Sequence, residues 1–222
     1  MKRASAAQAA TTDLVVHCDR PLAQPLRSIA TAFLASAGVH LRVFPTAPNA
    51  IAAQLARQIQ NDIVVTQPFV LAQIEANGLL ADAPRPGPWR NRLVIAARAG
   101  VQRSPLSQAT IAAPDPVWGG GPDGPALLDA AGLRPARRLG TFDTGEAQTL
   151  LLAGEADYAL LHATELVSGL EEVPTPGLDV ELSYSAVLTR LARRPNPEVL
   201  LRFLAGTEAA DLLRAAGLET AS

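Results

Sequence analysis

The 222-residue chain has a single cysteine, Cys18, which excludes an intrachain disulfide. Lysine is confined to Lys2, and every other basic residue is arginine. Charged residues are few, 18%, and nearly balanced at 19 basic and 21 acidic, for a net charge of -2. A general polyanion binder carries a basic excess, so nucleic acid is excluded as the main partner. No apolar run approaches the ~20 residues of a membrane-spanning helix, which argues against membrane insertion. Neither GxxxxGK[ST] nor GxGxxG occurs, so nothing suggests a nucleotide-phosphate loop, and no cofactor is expected. What the chain does have is hydrophobic residues, 48% of the total, which excludes a disordered polymer and supplies a sizeable core.

Strand and helix patterns alternate. Asp13–His17 reads as a buried parallel strand, followed by a helix with Pro21 in its first turn and Gly38 as its stop. His40–Phe44 is a strand, residues 49–58 a helix, Asp62–Thr66 a strand and Phe69–Ala76 a short helix. The stretch from Ala83 to Arg90 is proline-rich and reads as a hinge, with Trp89 packed in it. Strands follow at Arg92–Ala97, Ala109–Ala113, Leu139–Phe142 and Asp157–Leu161, with helices at about 124–131, 145–153 and 164–168. A second break lies near residues 174–177, then a long strand, Val180–Leu188, and two helices, near Pro197 after Asn196 and from Thr207. Alternation of this kind builds parallel sheets covered by helices on both faces. Two blocks joined through two breaks predict two lobes, with the ligand site in the cleft outside the carboxyl ends of the strands.

The segments LVVHCDRPLAQPLRSIATAFLASAGVHLRVFPTAPNAIAAQLARQ, NDIVVTQP, NRLVIAAR, LLLAGEADYALLHATEL and the C-terminal PNPEVLLRFLAGTEAADLLRAAGL resemble, in order, those of periplasmic molybdate-binding proteins. The resemblance implies an α/β, two-lobed periplasmic-binding-protein fold, each lobe a mostly parallel sheet flanked by helices. Lobe one would comprise residues 1–90 and 181–222, with residues 1–12 flexible, and lobe two residues 91–180. It further implies a monomer that captures a small solute and hands it to the membrane permease of an ABC importer, without catalysis. Met1-Lys2-Arg3 and Ala7-Gln8-Ala9 look like the two ends of an export signal without its apolar centre, which favours a periplasmic location; an internal start and a cytoplasmic ligand-sensing or interaction module is the alternative.

The ligand positions that the resemblance implies depart from the family pattern. Two serines that would hold an oxyanion fall at Pro21 and Pro48, which have neither hydroxyl nor N–H. A backbone amide position falls at Thr144, and a tyrosine hydroxyl position falls at His162. Beside them stand His17, Cys18, Asp19 and Arg20 at the end of the first strand. One reading makes Arg20 a clamp for a carboxylate or other oxyanion, assisted by His162 and the N–H groups near Asn49 and Thr144, with Cys18 and Pro21 alongside. A second takes His17, Cys18 and His162, with Asp19, as ligands for zinc or copper. A third leaves His17 and Cys18 as packing residues at a strand end and has Arg20 cap or pair with a carboxylate. A Cys18–His nucleophile is disfavoured because adjacent strand residues face opposite ways. The Trp118–Gly121 loop is either an anion-cradling nest or a plain connection, and His40 is a surface residue.

Overall fold

The computed structural model describes residues 13–118 and 122–220. The expected flexible start and the Gly119–Gly121 stretch lie outside them.

The first strand, β1 (Leu14–Asp19), is a β-branched run buried on both faces. A 3-10 turn, Arg20–Leu22, leads into α1 (Ala23–Ala37), and Pro21 sits in that turn, where an absent N–H leaves no intrahelical partner wanting. Gly38, left-handed at φ 67°, caps α1 by donating its N–H to the Leu34 carbonyl. Then come β2 (Leu41–Thr46), α2 (Pro48–Ala56), β3 (Ile63–Thr66) and α3 (Pro68–Ala76). The long β4 (Trp89–Arg98) opens the second half, with β5 (Thr110–Pro114), α4 (Gly124–Ala130), β6 (Arg137–Thr141), α5 (Thr144–Ala153), β7 (Tyr158–His162) and β8 (Leu170–Val173). The chain returns through β9 (Glu181–Leu188) and ends in α6 (Glu198–Leu204), α7 (Thr207–Ala215) and β10 (Glu219–Thr220).

The main sheet runs β2-β1-β3-β9-β4-β7-β5-β6. Within it, β2-β1-β3 and β7-β5-β6 are parallel triplets, each feeding helices that cover its faces. The antiparallel strands β4 and β9 join them. Trp89–Arg92 of β4 pair with β9, while Leu93–Arg98 pair with β7 and β8; β9 in turn gives Ser185–Leu188 to β3. Each crossing strand therefore belongs to both lobes, and the two interlobe connections are the strands themselves. The hydrophobic core divides accordingly. Leu14, Val16, Phe33 and Ile63 pack with α6 and α7, and Val64, Ile51 and Ile74 fill the opposite face of the same lobe. Ile95, Ile111, Leu128 and Leu160 fill one face of the second lobe, and Leu151, Ala159 and Leu161 the other.

Asp62 ties down the start of the first lobe's sheet. It is fully buried, and its carboxylate accepts the N–H of Val15 at 2.8 Å and of Arg193 at 3.1 Å. Three sequence expectations are corrected. The strand expected at Arg92–Ala97 starts earlier, at Trp89, which is 4% exposed and paired with Tyr184 and Thr220, because the chain enters the sheet immediately after the prolines. The helix expected at 164–168 is a single 3-10 turn, Ala163–Glu165, since the chain must turn back at once into β8. The second break is preceded by that strand, which the flanking prolines and glycines concealed. Among the described residues no helix is long and apolar enough to cross a membrane.

Candidate functional site

A cavity of about 310 Å³ opens between the lobes, at the carboxyl ends of the parallel strands. The first lobe supplies the end of β1 and the turn after it (Asp19, Arg20, Pro21), the start of α2 (Ala47, Pro48, Asn49) and the start of α3 (Gln67, Phe69). The second supplies Phe142, Asp143 and Thr144 at the start of α5, His162 at the end of β7, and Pro122. Leu182 and Tyr184, on the crossing strand β9, form the floor. Three α-helices thus present their N-terminal ends to one space, where the partial positive charge of the helix dipole and the first-turn N–H groups favour an electron-rich ligand.

Asp19 is 1% exposed. Its Oδ1 accepts the Thr66 hydroxyl at 2.6 Å and its Oδ2 accepts the Gln67 side-chain amide at 3.0 Å. Burial nevertheless outweighs these donors and the nearby His162, and pushes its pKa up to about 6. Across the cavity, His162 is held by Glu165. The carboxylate accepts the His162 backbone N–H at 2.9 Å, and its Oε2 lies 3.1 Å from Nδ1. Thr144 completes the cluster, donating its hydroxyl to Glu165 Oε1 at 2.9 Å and lying 3.3 Å from His162 Nδ1. Burial works against ionisation of Glu165, but hydrogen bonding to His162 and Thr144 prevails and holds its pKa below the usual range. With Glu165 accepting at Nδ1, Nε2 is the ring nitrogen that this pair leaves unengaged. His162 Nε2 and the Tyr184 hydroxyl are both buried without a hydrogen-bond partner in the protein. Burial, with Asp19 and Glu165 adding to it, drives the Tyr184 phenol well above its ordinary pKa.

Two contacts join the lobes at the rim. Arg20 Nε meets Asp143 Oδ2 at 2.9 Å, while the other oxygen of Asp143 caps α5 through the Glu146 N–H. The Thr164 hydroxyl donates to the Pro21 carbonyl at 2.8 Å and accepts from the Asn91 amide at 2.9 Å.

Of the residues singled out from sequence, Arg20, Pro21, Pro48, Asn49, Thr144 and His162 all line this cavity. His17 and Cys18 do not. The cavity lies at the strand end, so of β1 only the last residue, Asp19, reaches it. Cys18 points into the first lobe's core, fully buried, and burial raises its thiol pKa far out of the reactive range. His17 stacks on Phe44 with centroids 5.3 Å apart and meets Thr46 Oγ1 at 3.1 Å; burial lowers its pKa. The structure therefore does not bring His17, Cys18 and His162 together, and among the described residues no group of three His, Cys, Asp or Glu side chains could hold a metal ion. Arg20 is not a free clamp either, since Asp143 engages its Nε. His40 is exposed, as read from the sequence. Sequence reasoning overlooked Gln67, Phe69, Phe142, Asp143 and Tyr184 as wall residues. The carboxyl-end rule, applied to β3 and β6 as it was to β1 and β7, points to the first four of these.

Two lobes joined by crossing strands, with a part-polar cavity between them, define a two-lobed binding protein of the periplasmic-binding-protein fold. The sequence bears this out at the family level. The chain belongs to the family of bacterial extracellular solute-binding proteins, whose profile matches residues 14–219. No curated protein sequence matches it. Among solved structures, it is similar to the periplasmic molybdate-binding protein of Azotobacter vinelandii, with 15% identity over 94% of this chain and 100% of that one, at a TM-score of 0.78. It is similar also to the substrate-binding domain of a putative molybdenum ABC transporter from Clostridium difficile, with 15% identity over 95% and 99% and a TM-score of 0.73. The sulfate-binding protein SubI from Mycobacterium tuberculosis H37Rv shares 18% identity over 95% and 88%, again at a TM-score of 0.73.

Proposed function

We propose that this protein captures a small anionic solute, a carboxylate or an oxyanion, between its lobes in the periplasm and presents it as a monomer to the permease of an ABC importer. The observation that supports this most is the convergence of the N-terminal ends of α2, α3 and α5 on one cavity beside Arg20 and His162. Residues up to 90 with 181–222 would move as one lobe and 91–180 as the other. A solute touching both lobes binds best when they are closed, and so draws the population to that form. The named solutes of the similar structures, molybdate and sulfate, accord with an anion.

The test is a thermal-shift screen with molybdate, tungstate, sulfate, phosphate, small carboxylates, zinc and copper. A solute at 100 times its dissociation constant adds about 2.7 kcal/mol to stability. An anion is expected to raise the melting temperature, and Arg20→Ala to reduce that rise. A rise with zinc or copper alone, or with no solute at all, overturns the reading.

A further inference from the structure

The cavity's walls are more specific than an anion site requires. Pro21, Pro48, Phe69, Phe142 and Leu182 offer no side-chain donor, and the volume of about 310 Å³ is that of roughly ten water molecules. A bare tetrahedral oxyanion fills little of such a space and meets apolar surface over much of its outline. Phe69 and Phe142, from opposite lobes, are 48% and 46% exposed, which leaves apolar area to cover a carbon skeleton.

The polar atoms say more. Asp19 reaches the cavity as a buried acceptor. The Thr66 hydroxyl and the side chain and backbone N–H of Gln67 donate to it, three donors against about four lone-pair sites, which leaves it room for one more. A donor-free anion would sit against it as a like charge or as an unmatched acceptor. His162 Nε2 and the Tyr184 hydroxyl are two further buried polar atoms without a partner in the protein, and the hydroxyl accepts as well as donates. Asp19 and His162 lie close enough to interact electrostatically, as do Asp19 and Tyr184.

Resting on the anion reading above, we propose that the solute is a small organic acid carrying a hydroxyl or amino group. Its O–H or N–H donates to the Asp19 carboxylate, and its anionic end faces Arg20 and the N-terminus of α5. Asp19 then discriminates against the anions that lack a donor.

Pairs of acids that differ by one donor test this by calorimetry on the wild-type protein at pH 7.5: malate and aspartate against succinate, lactate and alanine against propionate, glycolate against acetate, with molybdate and sulfate alongside. The donor-bearing member of at least one pair is expected to bind about tenfold or more tightly than its partner, the usual worth of a hydrogen bond to a charged group. In Asp19→Asn that preference is expected to shrink to within about threefold, because the neutral amide no longer rewards the donor as strongly. Donor-free partners binding as tightly in every pair, or molybdate or sulfate binding best, overturns this inference and leaves the anion reading standing. No binding by any acid or oxyanion overturns both. Where Asp19→Asn fails to fold, the wild-type pairs alone decide.

Discussion

Arg20 and Asp143 face each other across the rim of the cavity, Nε to Oδ2 at 2.9 Å, and the same Asp143 caps α5 with its other oxygen. One carboxylate thus closes the lobes and starts a helix, and substitution separates the two roles. Asparagine keeps an N-cap oxygen and discards the charge; alanine discards both. Because the Arg20 side chain is 57% exposed, the ion pair is expected to contribute only about 0.2–1 kcal/mol. Asp143→Asn should therefore lie within about 1 kcal/mol of wild type, while Asp143→Ala should lose about 1 kcal/mol more. Chemical denaturation of both variants checks this, and equal losses would show that the cap contributes nothing.

Asp62 predicts a larger effect. Its carboxylate accepts two backbone N–H groups that no strand partner serves, those of Val15 and Arg193. Alanine there leaves both orphaned beside a fully buried position. The expected loss is about 2–4 kcal/mol, measured by urea or guanidinium unfolding. Asp62→Asn keeps one acceptor and should lose less than the alanine variant. A loss below about 1 kcal/mol in Asp62→Ala would mean that water replaces the carboxylate.

Cys18 should be chemically silent in the native state. Its side chain is fully buried, and burial together with the adjacent Asp19 holds the thiol protonated. A disulfide reagent such as DTNB at pH 8 is expected to label no thiol in native protein and one per chain in denaturant. Rapid native labelling would place Cys18 at an accessible surface and reopen its part in the site.

The alternation of strand and helix was legible where a short apolar strand is followed by an amphipathic segment and a glycine stop. Leu14–Asp19, α1 and Gly38 show this directly. The joining strands were less legible. Trp89 begins β4 straight after Pro84, Pro86 and Pro88, and β8 has only four residues between glycine and proline turns. Pattern alone does not tell such strands from linkers. In the site, the positions Arg20 and His162 could be read from strand ends, but their partners could not. Asp143 reaches Arg20 through tertiary packing, Glu165 reaches His162 through the turn that was read as a helix, and the depth that makes Asp19 a buried acceptor depends on Thr66 and Gln67, 47 and 48 residues away. Cys18 was misplaced by a single residue step, since the strand continues through Asp19 and carries the thiol into the core.

Asp19 also predicts a pH signature. Its carboxyl ionises near pH 6 in the folded protein against 3.8 as its reference, so between these values the native state holds a proton that the unfolded chain has released. The associated stability is fully present below about pH 4 and is lost as the pH rises through 6, by on the order of 3 kcal/mol in all. Glu165 works in the opposite sense. Its native pKa is lowered, so its contribution is present above its unfolded pKa and fades as the pH falls. Wild type alone therefore shows the sum of opposing trends. Asp19→Asn keeps Glu165 and removes the group that ionises, so the difference between the two unfolding curves isolates Asp19. The variant is expected to gain on wild type from about pH 4 to about pH 7 and to run parallel to it above. Parallel curves throughout would show that Asp19 titrates like a solvent-exposed carboxyl, and that the cavity floor is wetter than its burial implies.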